Sequence, residues 1–146
     1  MRVRDFMSVS PITVDPKTPV AEARELMQRH RIRHLLVVER EQLLGIITDR
    51  DIRLNLPSPA TSLSIWEINY LLAKLTVDRV MTRAVMTIAP RRPVADAVRL
   101  MLEHRIGALP VTERERVEGL ITETALLRVL DKQLGERAGA AAAGIA

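Results

Sequence analysis

At 146 residues, the chain is long enough for one ordinary domain or two very small ones. Hydrophobic residues at 47% exclude a wholly disordered chain, and aromatics at only 2% require a core of Val, Ile, Leu, Met and Ala. No cysteine is present, which excludes disulfides, thiolate metal sites and thiol nucleophiles, and the 22 basic and 18 acidic residues are interspersed, so the charge of +4 reads as a solvated surface mildly attractive to anions, not a nucleic-acid footprint.

The opening MRVRDFMSVS lacks the apolar stretch of a signal peptide. No apolar run nears the roughly 20 residues that span a bilayer, so the expected setting is cytoplasmic, without membrane contact. PITV (11–14) is a short β-branched run closed by Pro16 and predicts a brief strand. TPVAEARELMQRHRI (18–32) predicts a helix, with Thr18 as cap, Pro19 at the first helical position and Glu22 in the first turn. Val20, Ala23, Leu26 and Met27 share its apolar face, and Arg24, Gln28 and Arg29 face water. HLLVV (34–38) and LLGIIT (43–48), joined by the turn EREQ, predict a hairpin, and DRDIRLNL (49–56) begins another helix.

PSPATSLSIWEINYLLAKLT (57–76) has a different character. Ser64 and Glu67 have capping-box spacing, and Ile65, Ile68, Leu72 and Leu75 make a helical stripe that Trp66, Tyr70 and Leu71 widen. The first pattern then returns: VMTI (85–88), PVADAVRLMLEHRI (93–106), ALPV (108–111), the turn ERER, VEGLIT (117–122) and ETALLRVLDKQL (123–134). A gapless shift of 74 residues lays Met7–Ile52 over Met81–Leu126 and matches Pro16 with Pro90, Pro19 with Pro93, His30 with His104, Gly45 with Gly119 and Thr48 with Thr122. The chain is a duplication of a strand–helix–strand–strand–helix unit. The expected fold is α/β (α+β), with two β-α-β-β-α repeats related by a pseudo-twofold axis and packed sheet to sheet. One repeat alone is too small to be stable, and two bury each other's open faces. The expected boundaries are repeat 1 at 1–56, a helical linker at 57–76, repeat 2 at 77–133 and a flexible, Gly/Ala-rich tail at 134–146.

The junctions GIITDRD (45–51) and GLITETA (119–125) each deliver a strand end to a helix start. In one reading Thr48 is an N-cap and Asp51 the acid of a capping box, which stabilises the helix by about 0.5–2 kcal/mol and does nothing else. In the other, Thr48 offers a hydroxyl, Asp51 accepts two hydrogen bonds from a vicinal diol such as a ribose, and Arg50 and Arg53 supply charge for a phosphate. An apolar surface for a base would complete the description of a nucleotide.

The duplicated unit, with HRIRHLLVV…GIITDRDI and HRIGALPV…GLITET, resembles a tandem pair of cystathionine-β-synthase (CBS) domains, a Bateman module, over residues 1–130. The segment between the repeats is similar to stand-alone two-repeat proteins of the acetoin-utilisation group. The resemblance implies a regulatory module binding an adenosine compound (AMP, ADP, ATP or S-adenosylmethionine) in clefts between repeats, with no cofactor required. It implies that Thr48 reaches ribose or phosphate, that Asp51 takes the ribose hydroxyls, and that Ile12, Thr13, His34 and Leu35 flank the base. Beside them, Arg50 offers charge for a phosphate, and Arg33 reads either as a phosphate contact or as a solvated arginine. The matching positions of a weaker second cleft are Thr87, Ala108, Leu109 and Thr122, where Asp51 is replaced by Ala125. It also implies a homodimer that regulates another protein.

The remaining chemistry-bearing residues point elsewhere. His30 and His104 close equivalent helices, where a cation is favourable, and no metal-ligand spacing accompanies them. Neither a nucleophile motif nor a phosphate-binding Gly-rich loop is present, so no catalytic residues or metal site are expected and the chain reads as a non-enzyme. Gly45 and Gly119 read as backbone requirements of the hairpins. Met27 and Met101 read as core. The competing reading is a dimeric interaction scaffold that keeps the fold without binding ligand.

Overall fold

The computed structural model describes residues 1–56 and 62–145; the first five residues of the expected linker and the last residue of the tail lie outside it. The described chain divides into two compact units. One comprises Ser10–Met86 with Arg114–Val117, and the other Met1–Val9, Thr87–Glu113 and Glu118–Ala146. Each therefore contains one repeat's helices and strands together with the leading segment of the other repeat.

In the first unit, β2 (Thr13–Val14) lies parallel to β3 (His34–Glu39), with Thr13 opposite Leu36. β3 turns back antiparallel into β4 (Gln42–Thr48) through Arg40 and Glu41, both at positive φ, the signature of the tight hairpin turn whose twist matches its strands. Between β2 and β3 runs α1 (Val20–His30), and α2 (Asp49–Leu54) follows β4. Val20, Ala23 and Met27 of α1 are buried with Leu35, Val37, Ile47 and Ile52, as the helical period and strand alternation require. Burying one such Leu or Ile side chain stabilises the fold by roughly 1.5–3 kcal/mol. α3 (Ile65–Lys74) packs on α1 and seals this core with Leu72. The Ser64 hydroxyl oxygen caps it by accepting from the Glu67 amide at 3.2 Å, and the Ser64 hydroxyl donates to Glu67 Oε1 in place of the reciprocal backbone bond of a full capping box.

The second unit repeats the plan. α4 (Val94–His104) buries Val94, Ala97 and Met101, and β5 (Ala108–Glu113) pairs with β6 (Arg116–Thr122) across the positive-φ pair Arg114–Glu115. β1 (Ser8–Val9) adds antiparallel to β6, with Ser8 opposite Leu120. The expected strand at VMTI shrinks to one parallel bridge between Ile88 and Val111. The cause is chemical: the Leu36 amide donates to the Ile12 carbonyl at 3.3 Å, whereas Pro110, at the position matching Leu36, has no amide hydrogen to give.

The leading segments dock in parallel fashion. The Val77 amide donates to the Thr18 carbonyl, Asp78 to Pro16 and Val20 to Leu75; in the other unit Val3 donates to Arg92, Arg4 to Pro90 and Val94 to Met1. These bonds correct the expected start of α1. Pro19 is the extended N-cap residue, and Thr18 makes no side-chain cap, because the Leu75–Val77 backbone pairs with the chain there and holds it extended.

The role expected for Gly45 and Gly119 is also corrected. Neither has positive φ. A Cβ on Gly45 would stand 2.6 Å from the Thr82 carbonyl oxygen and 2.9 Å from Met81 Sδ; on Gly119 it would stand 2.5 Å from the Ser8 carbonyl oxygen and 2.8 Å from Met7 Sδ. The glycines admit the docked leading segment; the hairpin turn itself is made by other residues.

α5 (Glu123–Ile145) continues through the Gly/Ala-rich stretch where no period was legible. Alanine has the highest helix propensity and needs no apolar partner, and Gly135, Gly139 and Gly144 meet nothing within 4 Å.

Candidate functional site

In the first unit, strand register gathers the expected ligand residues at one end of the sheet. His34 lies opposite Thr48, and Leu35 opposite Ile47. The Ile12 carbonyl accepts from Leu36, and the Arg33 carbonyl accepts from the Asp49 amide at 2.9 Å. Ile12, Thr13, Arg33, His34, Thr48, Arg50 and Asp51 thus fall on three adjoining strand ends and the helix that follows. Thr13, Arg33 and Arg50 are exposed, and Ile12, His34, Thr48 and Asp51 are half-buried. Leu35 differs from the rest. Its side chain is fully buried in the core, so only its main chain can meet a ligand.

Thr48 and Asp51 form a complete capping box. Thr48 Oγ1 accepts from the Asp51 amide at 3.0 Å, and Asp51 Oδ2 accepts from the Thr48 amide at 2.9 Å. The extended Thr48 backbone at the end of β4 sets this geometry. The box leaves capacity unused. The Thr48 hydroxyl hydrogen and Asp51 Oδ1 have no hydrogen-bond partner among the described residues, so the pair can still donate once and accept through one carboxylate oxygen.

The second unit has a corresponding junction with different chemistry. The Glu123 amide donates to the Gly107 carbonyl as Asp49 does to Arg33. The Ala125 amide donates to Thr122 Oγ1 at 3.2 Å, and no carboxylate returns the bond. Ala108 and Leu109 are buried and Thr87 is exposed. Thr87 borders a hollow of about 360 Å³ with Arg92, Asp96 and Arg99, in which Asp96 is paired to both arginines.

The CBS domain model matches this chain twice, over residues 3–58 and 77–132. The chain belongs to the CBS domain family. Its pair of CBS repeats is similar to a putative acetoin utilization protein (AcuB) from Vibrio cholerae, at 26% identity and TM-score 0.77 over 95% of this chain and 96% of that one. That likeness bears out the resemblance to the stand-alone acetoin-utilisation group. The CBS pair is similar also to that of protein MJ0100 in complex with 5′-methylthioadenosine and S-adenosyl-L-methionine, at 28% identity and TM-score 0.75 over 91% of this chain and 98% of that one. CBSX2 in complex with AMP matches at 28% identity and TM-score 0.75 over 90% of this chain and 97% of that one. Among the described residues, no helix of this CBS pair is long and apolar enough to cross a membrane.

Sequence reasoning named Arg33 and Arg53 as charge for a phosphate but did not group them with Arg24 and Arg31. Arg24, Arg31, Arg33 and Arg53 line one hollow between α1 and α2. The signal was present as Arg24 and Arg53 at positions where the second repeat has Val98 and Leu127.

Proposed function

We propose that the chain is a non-catalytic regulatory module that binds an adenosine-containing compound, AMP, ADP, ATP or S-adenosylmethionine, through the Thr48–Asp51 junction. The observation that carries this reading is the unused donor of Thr48 beside the unused carboxylate oxygen of Asp51, at a strand end bordered by Ile12, Thr13 and His34. A ribose diol donates to the carboxylate, and the neighbouring arginines, Arg33 and Arg50, suit a phosphate. The complexes of MJ0100 and CBSX2 support an adenosine compound as the ligand class. The module works in the cytoplasm as a homodimer. Ligand shifts the balance between two packings of its repeats, and a regulated protein reads the difference.

The second reading is a ligand-free scaffold, and it has an observation of its own: the capping box accounts for Thr48 and Asp51 without any ligand. Calorimetric titration of the chain with AMP, ADP, ATP and S-adenosylmethionine separates the two. A ligand present at 100 times its dissociation constant adds about 2.7 kcal/mol of stability. Absence of heat and of thermal stabilisation with all four leaves the scaffold.

A further inference from the structure

The two repeats have nearly the same framework, yet the hollow between their paired helices differs in chemistry. In the second unit it is an apolar groove of about 1110 Å³ between α4 and α5, walled by Val98, Leu102 and Leu127. In the first it is a hollow of about 390 Å³ between α1 and α2, rimmed by Arg24, Arg31, Arg33 and Arg53 over a floor of Met27, Ile32 and Ile52. At the positions of Arg24, Gln28, Arg33 and Arg53 the second repeat has Val98, Leu102, Gly107 and Leu127; of the four arginines only Arg31 has a counterpart, Arg105.

Charge in the hollow is poorly balanced. Its one carboxylate, Asp49, pairs with Arg53 at 3.1 Å. Arg24, Arg31 and Arg33 have no carboxylate within ion-pair distance among the described residues. Three guanidiniums converging on one concavity repel each other, and an anion between them relieves that repulsion. The floor is buried or half-buried and apolar, which strengthens any ion pair formed above it. Arg24 comes from within α1 and Arg31 is its left-handed C-cap, so one helix and its cap present two guanidiniums to the hollow. The guanidinium fork matches phosphate oxygens in pairs.

We propose that the hollow between α1 and α2 binds a compact diphosphate-bearing anion chiefly through Arg24 and Arg31, beside the Thr48–Asp51 junction and bordering it at Arg33. The anion is free pyrophosphate or the diphosphate end of a larger molecule. The proposal does not depend on the adenosine reading, since neither Arg24 nor Arg31 belongs to that site.

The test is calorimetry of the full chain with inorganic pyrophosphate at fixed ionic strength, beside the same titration of an Arg24→Gln/Arg31→Gln variant. The expected result is saturable one-site binding, weakened tenfold or more in the variant, with AMP affinity unchanged. An Arg24→Lys/Arg31→Lys variant keeps the charge and loses the fork, and is expected to fall between the two. Repeating the titration with ADP in AMP-saturated protein distinguishes the sources: binding shows that the hollow takes a nucleotide's diphosphate end, and silence beside a pyrophosphate signal leaves the free anion. No saturable pyrophosphate binding, equal affinity in wild type and both variants, equal affinity for orthophosphate, or displacement of pyrophosphate by AMP overturns the proposal.

Discussion

Ala125 donates its amide to Thr122 Oγ1 at 3.2 Å and returns no side-chain bond, whereas the matching Asp51 accepts the Thr48 amide on Oδ2 at 2.9 Å. One carboxylate thus distinguishes the caps of two corresponding strand-to-helix junctions. Substituting Ala125→Asp supplies the missing half of the box, and a carboxylate in the first helical turn is favourable. The expected gain is about 0.5–1 kcal/mol of folding stability, read from urea midpoints. If the second junction also accepts a ribose, calorimetric stoichiometry with AMP moves from one towards two per chain. Stabilisation without added stoichiometry would locate the remaining difference in the surrounding residues, such as Ala108 in place of His34.

Asp51→Asn tests the first junction. Asparagine retains an oxygen that can accept from the Thr48 amide, so the expected stability loss is under about 1 kcal/mol. The charged acceptor for a diol is lost, and hydrogen bonds to charged groups contribute about 1.5–3 kcal/mol, so AMP affinity is expected to fall roughly ten- to hundredfold. Calorimetry and thermal unfolding on the same samples check both numbers. Equal losses in folding and binding favour the cap-only reading.

The glycines give a stability prediction. Gly45→Ala places a methyl group against the Thr82 carbonyl, and Gly119→Ala against that of Ser8, where backbone must move to admit it. Each substitution is expected to cost about 1–3 kcal/mol, the range for overpacked sites. Chemical denaturation measures it, and a neutral result would mean that the leading segments do not dock so closely in solution.

Asp78 links a leading segment to its unit through Lys17 Nζ at 2.9 Å and accepts locally from the Thr76 hydroxyl. The Thr76 hydrogen bond first, then Lys17, hold its carboxyl below the usual value. With a lowered folded pKa, its stabilising contribution is present above the unfolded value and is lost as pH falls through the folded one. Asp78→Asn is expected to lose less stability than the wild type between pH 6 and pH 3. Parallel acid sensitivity of the two in urea titrations would assign the acid response to other carboxylates.

The sequence revealed what depends on local period and on self-comparison. The apolar run HLLVV, the Val20, Ala23 and Met27 face of α1 and the Thr48–Asp51 spacing all appear in the structure as strand, helix and cap. The docking of the leading segments was not legible. Ser8 meets Leu120 across 112 residues through a strand only two residues long, too short to carry a period. The glycine requirement was misread for the same reason, since it is imposed by a segment remote in sequence. The arginine hollow was only partly legible: Arg33 and Arg53 read as charge for a phosphate, but Arg24 reads as a solvated helix residue, and their meeting depends on how α1 and α2 pack.

The last prediction concerns assembly. α3 buries Leu72 and half-buries Ile68, but Ile65, Trp66, Tyr70 and Leu71 point outward, with Trp66 80% exposed. The helix is therefore more apolar than its own core contact requires, and Trp and Tyr are enriched where interfaces concentrate their binding energy. The chain is expected to sediment as a dimer at micromolar concentration, and Trp66→Ala to weaken that dimer at least tenfold, with the monomer fold retained because the removed side chain lies outside the core. A monomer at every concentration rejects the dimer. A dimer that Trp66→Ala leaves intact moves the interface to the other exposed apolar face, Val98 and Leu102 of α4 with Leu127 and Leu130 of α5, where a Leu102→Glu substitution then dissociates it.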